Sequence, residues 1–283
     1  MKHFYLIANE VKDPKGQYTA RITAYLEAHG GKVICTGNAD RVGIDAAVNA
    51  RMGTEGTECV LVLGGDGTLL RAARNMIDRD IPLLGINLGT LGYLAEVEIG
   101  AIEPALDKLL SDDFTREERM MLAGQVNRQN DVEKNFALND IVISRCGSLQ
   151  ILTFQIYVNG QFLNSFSADG MIVSTPTGST GYNLSAGGPI VEPAANLLLL
   201  TPICPHTLNT RSIVLAPEDE IRIEIPHGKD GKLQAVEANF DGSHKISLET
   251  GDSIMIRKAS KTTGILKLNM ESFLTVLNKK MSE

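Results

Sequence analysis

A glycine-rich turn follows a short apolar strand in the first third of this 283-residue chain. The strand is predicted at 59–63, and the turn reads Gly-Gly-Asp-Gly-Thr at 64–68. A helix-like stretch comes directly afterwards, from Leu69 to Ile77. Strand, glycine turn and helix together form a phosphate cradle, because glycines let the backbone approach an anion and the first helical N–H groups point at it. This turn is therefore expected to bind phosphate groups.

Asp66 does not suit a passive cradle. A carboxylate beside phosphates is repelled unless it binds a cation or accepts a proton. The turn matches neither G-x-G-x-x-G nor G-x-x-x-x-G-K-[ST], so the usual dinucleotide and P-loop interpretations do not apply. Two interpretations are open: the turn performs phosphoryl transfer, or Asp66 or Thr68 caps the helix. Arg71, on the same helix, is either a phosphate contact or an exposed arginine.

Strands and helices alternate over the first 118 residues. Strands are predicted at 4–8, 32–36, 59–63 and 83–87, and helices at 17–29, 69–79 and 102–110. Such alternation predicts an α/β domain with a Rossmann-like parallel sheet. A second glycine turn, at 85–92, follows the last of these strands. It either lines the same anionic site as the first turn or is an ordinary strand-to-helix connection.

From residue 119 onward the pattern changes to closely spaced strands. They are predicted at 121–128, 135–144, 150–158, 211–216, 220–225, 232–240 and 253–257. Hairpin dipeptides recur, at Asn159-Gly160, Asp230-Gly231 and Asp241-Gly242. We therefore expect a β-rich, mainly antiparallel domain over 119–263. The closing segment 270–281 is predicted to be a helix that returns to the first domain, which then comprises 1–118 and 264–283.

Two polar motifs of the second domain are candidates for nucleotide binding. Asn139-Asp140 precede an apolar strand, and they either hydrogen-bond ribose hydroxyls or an amide, or cap a turn. The stretch 168–190 is rich in glycine and hydroxyl side chains, as a nucleotide cradle requires, and its Tyr182 could stack on a base. The alternative is a structural loop. G-x-S-x-G is absent, which excludes a nucleophile elbow.

Composition narrows the class of partner. The formal net charge of −7 argues against a general nucleic-acid binder, because such proteins rely on basic patches. The longest apolar stretches, such as 197–200, are far shorter than the roughly 20 residues of a membrane span. The four cysteines are far apart, and the five histidines show no metal-binding spacing. We expect a cytoplasmic protein with small-molecule partners, no nucleic acid, no membrane and no metal-ligating residue that the sequence identifies.

The chain resembles the bacterial ATP- or polyphosphate-dependent NAD kinases over nearly all of its length. The resemblance rests on GGDGT at 64–68, NLGTLGYL at 87–94, LND at 138–140, DGMIVSTPTGSTGYNLSAGGPI at 169–190 and TPICPHTL at 201–208. It implies an α/β first domain, a β-rich second domain and a final segment that returns to the first. It also implies phosphorylation of the adenosine 2′-hydroxyl of NAD to give NADP, a divalent cation, usually magnesium, and a homodimer or homotetramer.

Carried onto this sequence, the resemblance makes Asp66 the proton acceptor. It assigns nucleotide binding to Gly67, Arg71, Asn139, Asp140, Asp169, Thr180, Gly181, Tyr182, Asn183, Leu184 and Ser185. Two positions depart from the family pattern. Many members have alanine where Gly181 stands, and many have a basic residue where Ser167 stands. The second departure leaves the choice between ATP and polyphosphate as donor open.

Two other functions stay open. GGDGT alone also occurs in diacylglycerol and sphingosine kinases and, more loosely, in 6-phosphofructokinases, so a lipid or sugar kinase is one alternative. Against it, the sequence shows no basic amphipathic helix for membrane contact. A non-catalytic sensor that only binds NAD or NADP is the other. Against it, the glycine turn is unbroken and retains Asp66.

Overall fold

The computed structural model describes residues 1–36, 56–89, 92–129, 131–147, 151–207, 211–269 and 272–282. Parts of four predicted features therefore lie outside the described residues. They are residues 90–91 of the second glycine turn, residue 150 of the strand predicted at 150–158, residue 208 of the motif at 201–208 and residues 270–271 of the predicted closing helix. The chain forms two compact units, one of Met1–Glu118 with Thr263–Glu283 and one of Arg119–Thr262. Within the described residues, no helix has both the length and the apolar character needed to span a bilayer.

A parallel sheet forms the centre of the first unit. Its strands are β1 (His3–Ala8), β2 (Lys32–Thr36), β3 (Cys59–Gly64), β4 (Leu83–Asn87), β5 (Val97–Glu98) and the last residues of β17 (Ser253–Lys267). The order is β2-β1-β3-β4, and both β5 and the end of β17 run parallel to β4. The helices are α1 (Gln17–Ala28), α2 (Asp66–Met76), α3 (Ile102–Leu110) and α5 (Phe273–Met281). The predicted parallel α/β architecture is confirmed.

Helices cover both faces of this sheet. Leu61 of β3 belongs to a buried core with Ile22 of α1 and Leu106 of α3. Gly85 points to the opposite face, because both of its neighbours in β4 belong to that core. There Leu69 of α2 lies so close that a Cβ on Gly85 would come within 2.7 Å of its Cδ1. The glycine is therefore required by the packing of α2 on the sheet.

The second unit consists of antiparallel strands. They are β6 (Thr115–Asn127), β7 (Val132–Ala137), β8 (Asp140–Arg145), β9 (Leu152–Val158), β10 (Gln161–Ala168), β11 (Gly170–Ser174), β12 (Leu198–Ile203), β13 (Ile213–Leu215), β14 (Ile221–Glu224), β15 (Ala235–Phe240), β16 (His244–Glu249) and most of β17. One sheet has the order β13-β12-β11-β8-β15-β16. The strands β10-β9-β14-β17 form a second ladder, and β6 pairs with β7. One apolar core contains residues of both sets, such as Phe154 and Phe240. The β-rich second domain is confirmed.

Several elements differ from the sequence-based expectation. The single strand predicted at 135–144 is divided into β7 and β8, which pair with different strands. The strands β5, β10, β12 and β16 were not predicted. Helix α2 begins at Asp66 rather than Leu69, because the carbonyl of Gly65 already accepts bonds from the N–H groups of Thr68 and Leu69. Asp66 is thus the first helical residue.

Candidate functional site

The Gly-Gly-Asp-Gly-Thr turn connects β3 to α2. Gly64 has no room for a side chain, because a Cβ there would lie 2.5 Å from Thr68 Oγ1. Gly65 is extended, with φ −139° and ψ −174°, and precedes the first turn of α2. A Cβ on Gly67 would meet nothing within 4 Å among the described residues, so this side of the turn is open to a ligand. Protein atoms thus explain Gly64 but leave Gly67 free to face a phosphate.

The carboxylate of Asp66 is held by the residues that directly follow the second glycine turn. It accepts hydrogen bonds from the N–H groups of Tyr93 at 2.9 Å, Leu94 at 3.3 Å and Ala95 at 3.3 Å. A Cβ on Gly92 would come within 2.0 Å of Asp66 Oδ1, so only glycine leaves room for the carboxylate. A carboxylate has about four lone-pair directions. Three donors therefore fix its orientation and leave about one direction for a further donor.

The ends of the parallel strands bring the two turns together. Gly64 and Asn87 are register partners on β3 and β4. The carbonyl of Gly64 accepts a 2.8 Å bond from the N–H of Leu88. The Asn87 amide both donates to the carbonyl of Gly89 and accepts from its N–H, at 3.1 and 3.0 Å. Loops at the carboxyl ends of parallel strands are where open α/β sheets bind ligands. Arg71 is half-buried on α2, one turn beyond Asp66.

In the second unit, Asp241 organises the segment that carries Asn139 and Asp140. Its carboxylate accepts bonds from the N–H groups of Leu138 at 2.8 Å, Asn139 at 2.8 Å and Asp140 at 3.2 Å. Because these N–H groups bond the Asp241 side chain, the predicted strand is interrupted here and divided into β7 and β8. The Oδ1 of Asn139 is buried and has no hydrogen-bond partner among the described residues. Such an atom calls for a partner, which a bound ligand could supply.

Asp140 is 6% exposed. Burial, and secondly the negative charge of Asp241, raises the pKa of Asp140 from 3.8 to about 7. Its carboxyl group therefore changes protonation near neutral pH and can serve as donor or acceptor of a hydrogen bond. A perturbed carboxyl beside an unpartnered buried amide oxygen is the pattern expected of a binding site.

The residues after β11 pack against this segment. Thr175 Oγ1 donates a 2.6 Å bond to the carbonyl of Leu138 and accepts one of 3.1 Å from the N–H of Gly178. A Cβ on Gly178 would lie 2.2 Å from the carbonyl oxygen of Asn139, which excludes any other residue there. A Cβ on Gly181 would instead lie 3.5 Å from Asn139 Nδ2 and 3.8 Å from Asp140 Oδ2. The structure thus brings Gly181 together with both polar residues.

The short helix α4 (Tyr182–Ser185) presents two kinds of residue. Tyr182 is 47% exposed and Leu184 39% exposed, so both are accessible. Asn183 is fully buried, and its amide bonds the carbonyls of Ser179 and Pro189 and the hydroxyl of Thr201. The Asn183 side chain therefore holds the loop in shape. Thr180 and Gly181 are half-buried, and Ser185 is exposed.

Asp169 is positioned by a basic neighbour. Its Oδ1 accepts a 3.0 Å bond from Arg145 Nη1, and His206 Nε2 lies 3.9 Å from the same oxygen. All three side chains are partly exposed. The charge of Asp169 is thus already balanced by Arg145, which the sequence analysis did not identify.

Sequence reasoning missed three residues that lie close to candidate residues: Lys12 in the first unit, and Arg145 and Asp241 in the second. Asp241-Gly242 was interpreted only as a hairpin turn, and its carboxylate gave no further signal. Lys12 is a single lysine in a loop, and its position beside the glycine turns is visible only in three dimensions. No cluster of three or more His, Cys, Asp or Glu side chains that could hold a metal occurs within the described part of the chain.

Comparisons with known proteins agree for both halves of the chain. Residues 5–114 match the family model of the ATP-NAD kinase N-terminal domain, and residues 138–268 match that of the ATP-NAD kinase C-terminal domain. The NAD kinase of Lachnospira eligens is 44% identical over 293 residues, which cover 99% of this chain and 100% of that protein. The NAD kinase of Agathobacter rectalis is 46% identical over 285 residues, covering 99% of each.

Solved structures agree in fold. An NAD kinase from Archaeoglobus fulgidus, solved in complex with ATP, superposes with a TM-score of 0.77 at 25% identity and covers 100% of both chains. Yeast NADH kinase, solved with NADH, gives a TM-score of 0.86 at 24% identity over 100% of this chain and 88% of the yeast chain. With both family models and full-length relatives above 40% identity in agreement, the chain belongs to the NAD kinase family.

Proposed function

We propose that the protein transfers the terminal phosphate of ATP to the 2′-hydroxyl of the adenosine ribose of NAD, giving NADP. The observation that carries this proposal is the Asp66 carboxylate, held by three N–H donors between two glycine turns. Such a group is oriented before substrate arrives and still has room for one hydroxyl. Full-length relatives named NAD kinase identify the acceptor. The comparisons give no support to a lipid or sugar kinase or to a sensor.

Asp66 is proposed to accept the proton of the ribose hydroxyl as that oxygen attacks the terminal phosphorus. Proton transfer to a positioned base typically contributes about 10²–10⁴-fold to a rate. The remaining barrier in phosphoryl transfer is lowered mainly by positioning and by stabilising charge on the transferred group. Gly67 and Arg71 are proposed to contact the nucleotide beside Asp66. The open side of Gly67 faces no atom of a described residue within 4 Å.

The acceptor is proposed to bind through the second unit. The unpartnered Oδ1 of Asn139 and the carboxyl group of Asp140 supply hydrogen bonds for NAD. Their closeness to Gly181 supports a pocket in which Thr180 and Gly181 contribute backbone and Tyr182 an aromatic face. The remaining proposed contacts are Asp169, Leu184 and Ser185 at the surface and Asn183, which maintains the loop.

A divalent cation, magnesium in the simplest case, completes the proposal. Magnesium is usually held by one or two carboxylates together with substrate phosphates, so it does not require a cluster of protein ligands. The donor phosphates would supply its main ligands, because the remaining lone-pair direction of Asp66 is assigned to the ribose hydroxyl. When bound, the ion neutralises charge on the donor phosphates. Polyphosphate is the alternative donor. We favour ATP, because the structurally similar NAD kinase from Archaeoglobus fulgidus was solved in complex with ATP.

Assembly and location are further parts of the proposal. We infer a homodimer or homotetramer in the cytoplasm. The strand β10 lies at the edge of its ladder and exposes Phe162 to 57% and Leu163 to 40%, and exposed apolar residues on an edge strand favour pairing with another chain. Light scattering on the purified protein measures the oligomer directly, and a monomer at micromolar concentration would contradict it.

An NADP-formation assay with purified protein tests the proposed activity. ATP and polyphosphate serve as donors, NAD, NADH and diacylglycerol as acceptors, and magnesium and manganese as cations. We expect NADP from NAD, ATP and magnesium. Phosphorylation of diacylglycerol alone would support the lipid kinase instead. Calorimetric binding of NAD without any product would support the sensor.

A further inference from the structure

The ammonium group of Lys12 lies between the two glycine turns of the first unit. A Cβ built on Gly65 would be 2.9 Å from Lys12 Nζ, and one built on Gly89 would be 3.3 Å from the same atom. The Nζ atom is therefore close to the backbone of both turns at once. We propose that Lys12 binds phosphate oxygens of the phosphoryl donor and is a donor-binding residue of this enzyme. The inference rests on the proposed kinase function and adds a residue to it.

The loop that carries Lys12 is fixed to the Gly-Gly-Asp-Gly-Thr turn. Asn9 Oδ1 accepts bonds from the N–H groups of Val11 at 3.0 Å and Lys12 at 3.2 Å. Asn9 Nδ2 donates a 3.2 Å bond to Thr68 Oγ1, and the N–H of Asn9 donates to the carbonyl of Leu63 at 2.8 Å. One side chain thus joins the loop after β1 to the turn after β3. Lys12 is held beside the cradle by this connection rather than by chance contact.

No anion of the protein satisfies the Lys12 ammonium within the described residues. The carboxylate of Asp13, next in sequence, instead accepts bonds from the N–H of Tyr18 and from the N–H and hydroxyl of Thr19, at 2.8–3.3 Å. The Asp13 carboxylate therefore binds polar groups in the first turn of α1. The Asp66 carboxylate faces the N–H groups of Tyr93, Leu94 and Ala95. Lys12 is exposed and forms no ion pair with a described residue.

A lysine beside glycine turns is a known way to bind phosphates. Glycines admit the phosphate to the backbone, and a lysine supplies a mobile positive charge with three N–H donors. Here the strands β1, β3 and β4 end side by side, so the loops after them supply the lysine and the two turns. The position of the charge suits the donor, because the first turn is expected to bind phosphate groups and the Lys12 ammonium lies beside it.

The test compares Lys12→Met with Lys12→Arg and with the control Lys15→Met. Lys15 is exposed in the same loop. A hydrogen bond to a charged group is worth enough to change binding roughly 10- to 100-fold. We expect Lys12→Met to raise the KM for ATP by that factor, with the KM for NAD within about twofold of wild type. Lys12→Arg should retain most of the ATP affinity, and Lys15→Met should match wild type.

Two further readouts separate binding from a structural role. Calorimetry with MgATP should show the same loss of affinity in Lys12→Met, while the melting temperature stays that of Lys15→Met. The ATP KM of wild type should also rise more steeply with salt than that of Lys12→Met, because one charge contact is lost. An unchanged ATP KM in Lys12→Met, or equal changes for ATP and NAD, would overturn the inference. The proposed function itself fails only if wild-type protein makes no NADP.

Discussion

The backbone N–H of Tyr93 donates a 2.9 Å hydrogen bond to the carboxylate of Asp66. Asp66 belongs to the first glycine turn, whereas Tyr93 directly follows the second. The bond resolves the conflict of an acidic side chain in a phosphate cradle. Asp66 is turned toward a set of backbone donors, which compensate its charge and set its direction.

Gly92 is predicted to control the position of the Asp66 carboxylate. In Gly92→Ala the new Cβ would lie 2.0 Å from Asp66 Oδ1, so the carboxylate must move. Displacement of a reacting group by about 1 Å costs about 10²-fold in rate. We expect kcat for NADP formation to fall by about that factor, with the KM for NAD nearly unchanged. Gly100→Ala is the control, because its Cβ would meet no atom within 4 Å in the part of the chain that the structure describes. Equal kcat values in the two variants would contradict the prediction.

Asp241 is predicted to position Asn139 and Asp140 for NAD. In Asp241→Ala three N–H groups lose their acceptor, which should cost about 1–3 kcal/mol of unfolding free energy. The KM for NAD should rise as the segment loosens, whereas the KM for ATP should change little. Urea unfolding and steady-state kinetics measure the two effects.

Asp219→Ala separates the two effects of the Asp241 change. Asp219 also holds a turn of the second unit, by accepting bonds from Ala216 N–H at 2.9 Å and from Asn159 Nδ2 at 2.6 Å. We expect Asp219→Ala to lose stability with the NAD KM of wild type. If both variants raise that KM alike, Asp241 has only a general structural role.

Asp140 is predicted to make stability depend on pH. Its folded pKa is raised to about 7 by burial and by Asp241, so the folded protein keeps a proton that the unfolded chain releases. This contribution to stability is fully present below about pH 4 and is lost as pH rises through 7. The unfolding free energy of wild type should fall by about 4 kcal/mol more than that of Asp140→Asn between pH 4 and pH 8. Urea unfolding of both proteins across that range measures this fall, and a difference independent of pH would contradict it.

Much of the fold could be predicted because its signals are local. Alternating strands and helices indicated the parallel sheet, and hairpin dipeptides indicated the antiparallel unit. The strand β10 escaped prediction because its first five residues are exposed and show no apolar alternation. The strand β12 escaped prediction because all six of its residues are buried, so apolar and polar residues do not alternate along it. It also contains Pro202, which is uncommon inside strands.

The site was predictable only as far as motifs reach. Asp66 was recognisable because a carboxylate among glycines is chemically conspicuous. Its three N–H donors could not be foreseen, because they come from a turn that meets it only after β3 and β4 pair. Asp241 and Lys12 are single residues in loops. Their roles depend on contacts with segments far away along the chain, and no motif in the sequence indicates those contacts.

The central claim is that Asp66 accepts the proton of the ribose hydroxyl, and Asp66→Asn tests it most directly. Exposed Asp113→Asn is the control. Turnover of NAD to NADP is measured with saturating ATP and magnesium, and NAD binding by calorimetry. We predict that kcat falls by about 10²–10⁴-fold in Asp66→Asn while the Kd for NAD stays within about threefold of wild type. Turnover of NAD by Asp66→Asn at the wild-type rate would contradict this assignment.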